Sequence, residues 1–333
     1  MLRSLSKYRL LLSFAITLIA GLIALVFVVD ARWSAHHAAG PLRKYQEFRL
    51  EKGSGLNILS SRLEEEGVID DAFSFRLIAR LQGVGQRLKA GDYRFPRKIS
   101  PAQVLEMLVE GNTQLYSITI PEGLTSQQIL GRLQKAKRLS GQTPKSLPEA
   151  SILPETYHFE NGMAREDLIA IMQADWKEAV QVLWNRRREG YPLQSLEEVL
   201  VLASIVEKEA VREAEMPTIA GVFFNRLERN MKLQSDPTVI YAVSGGLGKM
   251  NRRLLRKDWK FPHDHNTYYR KGLPPTAIAH PGLAAVRATL NPKKTDNIFF
   301  VADGRGGHRF AVTLKEHREN IAKLNILRKE VRK

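Results

Sequence analysis

The sequence predicts an α+β chain: a single N-terminal helix of membrane-spanning length, a small strand-and-helix module, and a helix-rich C-terminal domain with a small β element. Three observations lead there. Leu10 to Val29 is a run of twenty residues without a charge. Two stretches, starting at Phe48 and Ser117, pass from short alternating patterns through a glycine into helical periodicity. Beyond about Pro121 helical patterns dominate, until two short strand-like runs near the C-terminus. The 333 residues suffice for an anchor and two domains, and 44% hydrophobic with 26% charged residues marks folded cores rather than disorder. The chain has no cysteine, which excludes disulfides, thiolate-bound metals, iron–sulfur clusters and thiol nucleophiles. Fifty-one Lys and Arg against 35 Asp and Glu leave a net charge of +16. Such a surface favours a polyanionic partner: nucleic acid, anionic lipid or an acidic polymer.

The first thirty residues choose among these. At about 1.5 Å per residue, Leu10–Val29 matches a hydrocarbon core of roughly 30 Å. Arg3, Lys7 and Arg9 precede it. The positive-inside rule therefore assigns residues 1–9 to a cytoplasmic tail and 10–29 to a transmembrane helix, with everything after it exported. A cleaved signal peptide is the alternative, but its apolar region would be shorter and end at a small-x-small site, which ARWSAHHAAG offers only poorly. Export removes nucleic acid from the list of partners. Residues 30–46 then read as a polar linker.

Phe48–Leu63 can be laid over Ser117–Leu133 at an offset of 70, which aligns Leu50 with Ile120, Gly53 with Gly123, Leu59 with Ile129 and Leu63 with Leu133. Each stretch reads as strand, glycine turn and amphipathic helix. Asp71 can cap a helix running to about Leu81, and GDYRF (Gly91–Phe95) reads as a returning strand. Strand, helix, helix, strand is the order of a LysM-like glycan-binding module, which the sequence assigns to residues 47–115. Ser100, Pro101 and Gln103 mark a capped helix start, leading to about Glu110. The C-terminal domain, 116–333, ends with NIFFVA and HRFAVT joined by DGRGG, a hairpin.

Within that domain, Ser195–Ala210 (SLEEVLVLASIVEKEA) carries the chemistry-bearing pattern. Ser195 and Glu198 form a capping-box signature, and Val199–Val206 is apolar nearly all round, as in a buried helix. Glu207 extends the stripe Leu196, Leu200, Ala203. A carboxyl against apolar walls stays protonated near neutrality, which a general acid requires. Glu209 lies about 200° further round the helix, so both carboxyls cannot face one scissile bond. A solvated last turn is the ordinary use of such a triplet.

Further on, Gln234, Ser235 and Asp236 stand before Pro237 and an apolar run, where Asp236 can simply cap the next helix. His265–Pro275 supplies amides, hydroxyls and adjacent tyrosines suited to sugar recognition. Lys249–Lys271 holds eight basic residues against Asp258 and Asp264. His263 and His265 have no third ligand group nearby, so neither a metal site nor a cofactor is expected.

In order, LASIVEKEA, FFNRL, MKLQSDPTVIYAV, NTY with GLPPTAIAHPG, and FFVADGRGGHRFAVTLKEH resemble the YceG-like family of endolytic murein transglycosylases, as do GDYRF, TIPEGLT and LPETYHF upstream. The resemblance runs from about Phe48 to His317. It implies a catalytic glutamate at Glu207 and substrate-binding positions at Gln234, Ser235, Asp236, Asn266, Thr267 and Tyr268. His265 stands where the family often has tyrosine, and His280 where asparagine or another small polar residue is usual. It also implies cleavage of the MurNAc–GlcNAc β-1,4 bond in nascent peptidoglycan, leaving 1,6-anhydro-MurNAc ends and terminating strand elongation. The setting would be the inner membrane, with the catalytic domain periplasmic and peptidoglycan synthases as partners. The alternative is a non-catalytic, membrane-anchored glycan-binding scaffold that recruits such synthases.

Overall fold

In the computed structural model, residues 2–187 and 192–330 are described, with side chains from Ser13 onward. Met1 of the expected tail and residues 331–333 of the expected C-terminal domain lie outside them. The chain is a helix-rich α+β protein that divides into two compact units, Met1–Tyr116 and Ser117–Lys333.

The first unit begins with α1 (Leu2–His37), in which Ser13–His37 is long and apolar enough to cross a membrane. The helix does not stop at Val29. The expected linker continues it for eight residues, to His37, because its last turns have something to pack on: Arg32 reaches the Asp71 carboxylate at 3.3 Å, and the His36 ring lies 6.2 Å from that of Phe75. There follow β1 (Gln46–Leu50), α2 (Leu56–Glu65), α3 (Ala72–Leu81), β2 (Gly91–Phe95) and α4 (Pro101–Glu110). β1 and β2 pair antiparallel, from Gln46 opposite Phe95 to Leu50 opposite Gly91. Alternation places Phe48, Leu50, Tyr93 and Phe95 on one face, packed with Leu59, Leu63, Phe75 and Leu108. The caps follow the sequence signals. The Asp71 carboxylate accepts from Ser74 N at 3.0 Å, and Ser100 with Gln103 makes a full capping box ahead of Pro101.

The second unit holds β3 (Tyr116–Thr119), α5 (Ser126–Lys135), β4 (Thr156–Phe159), α6 (Arg165–Asn185), α7 (Leu196–Glu209), α8 (Met216–Glu228), α9 (Asp236–Val243), α10 (Leu283–Leu290), β5 (Phe299–Ala302), β6 (His308–Ala311) and α11 (Leu314–Glu330). Its core is a helix sandwich: Val199, Leu202 and Val206 of α7 meet Ile219, Ala220 and Phe223 of α8 and Ala285 and Val286 of α10. Residues 201–206 are all buried, as the all-round apolar pattern requires. The α7 cap differs in one bond. Ser195 Oγ accepts from Glu198 N at 3.2 Å, but the Glu198 carboxylate takes the N–H of Gln194. β5 and β6 form the expected antiparallel hairpin, whose turn is tied by Asp303 accepting from the amides of Arg305 and Gly307. Those amides hold the Asp303 carboxyl below its ordinary range.

The two aligned stretches share their local build. β1 pairs with β2, and β3 with β4. Gly53 and Gly123 sit at φ +86° and +72°, which only glycine adopts without strain, and Leu59, Leu63, Ile129 and Leu133 are all 0% exposed.

Candidate active site

The last turn of α7 places its two glutamates in different surroundings, as two residues of helical rotation demand. Glu207 faces the turn after β3 and the loop before α10. Its Oε2 accepts from Gly282 N at 3.1 Å, and Lys208 Nζ donates to Gly123 O at 3.0 Å. Gly123 N donates to His280 O, and His280 N to Leu124 O, both at 2.8 Å, so turn and loop are zipped together. Gly282 packs on the Glu122 carboxylate so closely that an added Cβ would land 1.8 Å from Oε1. Desolvation raises the Glu207 pKa; the Gly282 amide opposes this, and the Glu122 charge adds to it.

Glu209 faces the start of α9. Ser235 Oγ donates to Glu209 Oε1 at 2.6 Å, while the Asp236 charge and the Arg226 guanidinium flank it with opposite signs. Burial dominates and pushes this carboxyl up to about 7. Glu209 is not the freely solvated carboxyl that such a triplet ordinarily provides, because the Ser235 hydroxyl and the Tyr268 loop lie against it. Arg226 is itself buried, its guanidinium donating to the carbonyls of Ile298 and Leu233, both at 2.7 Å.

Of the residues expected to bind substrate, Ser235, Asp236 and Tyr268 lie against Glu209, and the set divides into two kinds. Ser235, Asn266 and Thr267 are at most 1% exposed and are taken up by hydrogen bonds within the protein. Asn266 Nδ2 donates to the carbonyls of Asp258, Trp259 and Phe261, and Thr267 Oγ1 accepts from Ser235 N at 3.0 Å. They hold loops together. Gln234 and Asp236 are exposed and Tyr268 half-buried. Gln234 has φ +51°, a strained conformation for a non-glycine residue, at the turn into α9. Asp236 does not cap α9. It is the first helical residue, and its Oδ1 accepts from Tyr268 OH at 2.9 Å and Trp259 Nε1 at 3.2 Å. Tyr269 has an exposed ring, and its amide donates to Asn266.

Sequence reasoning passed over Trp259, Arg226 and Glu149. Arg226 lies inside the FFNRL motif, the one signal that pointed to it. Glu149, pushed up to about 7 by burial, accepts from Ser126 N, with Tyr241 OH at 3.4 Å. Beside it His280, fully buried and lowered to about 4, accepts from Ile152 N at Nδ1 and meets Ser126 Oγ through Nε2 at 2.9 Å. With Nδ1 an acceptor, Nε2 carries the proton, so this imidazole cannot activate Ser126 as a nucleophile. His265 Nε2 contacts Thr276 Oγ1 at 2.8 Å. Among the described residues, Arg252 and Arg270 pair with Asp258 and Asp264, and the other six cations of Lys249–Lys271 form no ion pair.

Residues 48–323 match the model of the YceG-like family. An endolytic murein transglycosylase of Bacillus subtilis is 29% identical over 300 residues, covering 80% of this chain and 81% of that protein. One from Streptococcus pneumoniae is 29% identical over 326 residues, and the match spans 84% of this chain but 58% of that longer protein. The crystal structure of a yceG-like protein from Listeria monocytogenes superposes with a TM-score of 0.50 at 27% identity, covering 83% of this chain and 99% of that one.

Proposed function

Because the chain belongs to the YceG-like family, we propose that it is a peptidoglycan lytic transglycosylase whose proton-transferring group is Glu209. The observation that carries this choice is the convergence of Ser235, Asp236 and Tyr268 on a carboxyl held near pKa 7. A general acid works best when its pKa lies near the working pH. Protonated Glu209 donates to the glycosidic oxygen as the C1–O bond breaks. The N-acetyl carbonyl of the same MurNAc supports the oxocarbenium-like centre in place of a second carboxylate. Glu209, now a carboxylate, takes the C6 hydroxyl proton, and O6 closes on C1. No water is consumed, the enzyme regains its proton, and the new end is 1,6-anhydro-MurNAc.

Glu207 is the second reading, as the family resemblance alone implies. Its raised pKa beside the Glu122 carboxylate favours it. Full-length protein in detergent, given uncrosslinked glycan strands, decides between them. Mass spectrometry should find anhydro ends with wild type and with Glu207→Gln, and almost none with Glu209→Gln. The reverse pattern returns the role to Glu207, full activity in both variants puts the acid outside this helix, and only an absence of anhydro ends with wild type leaves the scaffold reading.

The rest of the proposal concerns place. The apolar run with Arg3, Lys7 and Arg9 on one flank supports a single-pass inner-membrane protein, N-terminus cytoplasmic and enzymatic body periplasmic. The strand–helix–helix–strand order of the first unit supports a LysM-like glycan-binding role for residues 47–115, with the catalytic domain at 116–333. The six cations without an ion pair suit an anionic polymer. Cutting close to the membrane would end elongation of nascent strands beside peptidoglycan synthases. A C-terminal reporter active only outside the cytosol is the expected result; a mature N-terminus near residue 40 would show a cleaved signal instead.

A further inference from the structure

Three separate pieces of chain meet at one carboxylate oxygen. Asp236 Oδ1, at the start of α9, accepts from Tyr268 OH at 2.9 Å and from Trp259 Nε1 at 3.2 Å. The Trp259 and Tyr268 rings are stacked, with centroids 5.0 Å apart and planes within 4°. The turn carrying Trp259 (Asp258–Lys260) is itself immobilised: Asp258 takes both guanidinium nitrogens of Arg252 and the N–H of Leu255, and buried Asn266 donates to the carbonyls of Asp258, Trp259 and Phe261. A tryptophan in an irregular loop could stack on a neighbour without being fixed at both ends. Here its position, its ring plane and its one donor are all specified.

We propose that Trp259 is a positioning residue: with Tyr268 it locks Asp236 in place beside Glu209. Two donors on one oxygen leave the aspartate a single orientation, and the indole ring, larger than any aliphatic substitute, keeps the phenol in plane. The partner affected is Glu209, which rests on the reading of that residue as the acid. Glu209 is faced by the Ser235 hydroxyl and Asp236 from the start of α9, by Tyr268 from its loop and by Arg226 from α8, with Lys208 adjacent on α7. Of these, Asp236 is the charge that opposes ionisation of Glu209, and its distance depends on the clamp. If the aspartate swings away, ionisation becomes easier.

The test compares Trp259→Phe, which keeps a ring but loses the donor, with Trp259→Leu, which loses both. Full-length enzyme is assayed for pH dependence of kcat and KM, and the Glu209 carboxyl is titrated by NMR with 13C-labelled glutamate. Thermal melting checks folding. The expected result is kcat lowered by about tenfold with KM little changed. The basic limb of the kcat profile and the Glu209 titration should both move to lower pH by about half a unit or more, further in Leu than in Phe. A raised KM with an unmoved titration overturns the inference and makes the indole a sugar contact; no change in either makes it simple packing. If Glu209→Gln retains turnover, the acid assignment fails on its own, and the carboxyl titration still decides what Trp259 does.

Discussion

The two sides of the last α7 turn solve the same electrostatic problem differently. Both carboxyls are desolvated and both are raised. On the Glu207 side the answering groups are backbone: the Gly282 amide on the carboxylate, with Lys208 on the Gly123 carbonyl and the turn and loop paired through amides of Gly123 and His280. On the Glu209 side they are side chains: the Ser235 hydroxyl, the Asp236 carboxylate, the Arg226 guanidinium. Backbone partners fix loops to a helix end and have one geometry. Side-chain partners set a proton affinity and can be tuned one at a time. The first arrangement suits a joint, the second a reacting group.

The comparison breaks most visibly under glutamine. Glu209→Gln should lower release of anhydro ends by about 10²–10⁴-fold, since one group serves as acid and then as base. Glu207→Gln should stay within about tenfold, its amide oxygen still accepting from Gly282. A comparable collapse in both would show that the two sides form one catalytic unit. The joint is probed next by Gly282→Ala. Its φ of −73° is ordinary for alanine, so only the collision with Glu122 matters. Stability should fall by about 1–3 kcal/mol, read as a lower Tm, and Glu122→Ala in the same chain should restore it. An undiminished Tm in the single variant would mean that the loop yields freely.

Proton linkage separates the sides in a third way. Glu209 and Glu149 have folded pKa values near 7, above the unfolded value, so the folded state binds more protons between about pH 4.5 and 7. Their contribution is fully present below the unfolded pKa and is lost as pH rises through the folded one. Glu209→Gln should therefore melt higher than wild type at pH 8, by about 1–3 kcal/mol, and lose that advantage toward pH 4. Parallel melting curves for variant and wild type at every pH would contradict it. The smallest change is Ser235→Ala. The hydroxyl lowers the Glu209 pKa, so its loss should move the basic limb of kcat to higher pH, opposite to Trp259→Phe, with about 1 kcal/mol of stability lost. A limb moving downward would mean that Ser235 acts on Asp236 instead.

Local signals were read well from sequence where the physics is local. Ser100, Pro101 and Gln103 state a helix start among four consecutive residues, and the alternation in β1 needs no distant partner. The 200° separation of Glu207 and Glu209 was equally legible. Which of them meets Ser235 and Asp236 was not. An apolar stripe points a helix only if its other faces are polar, and residues 201–206 are buried on every side. The direction is set by Ser235, 26 places away in a different loop, and by Tyr268, further still. The same holds for Trp259: its neighbours in sequence are charged and look solvated, while its partners Asp236 and Tyr268 lie in other segments. Residues 30–37 read as linker for a related reason, having no apolar periodicity, and remain helical through contacts with Asp71 and Phe75.

That continuous helix has a mechanical consequence. With α1 spanning a bilayer, no hinge separates the lipid from the first unit. Eight residues beyond Val29 correspond to about 12 Å of rigid rod at 1.5 Å each, braced at its tip against α3. On an anchored α1 the β1–β2 module would be mounted at a fixed stand-off above the leaflet instead of drifting on a tether, much as a stylus is held above a disc. A polymer emerging from the membrane would be met at one height, and every strand would be gauged from the same origin.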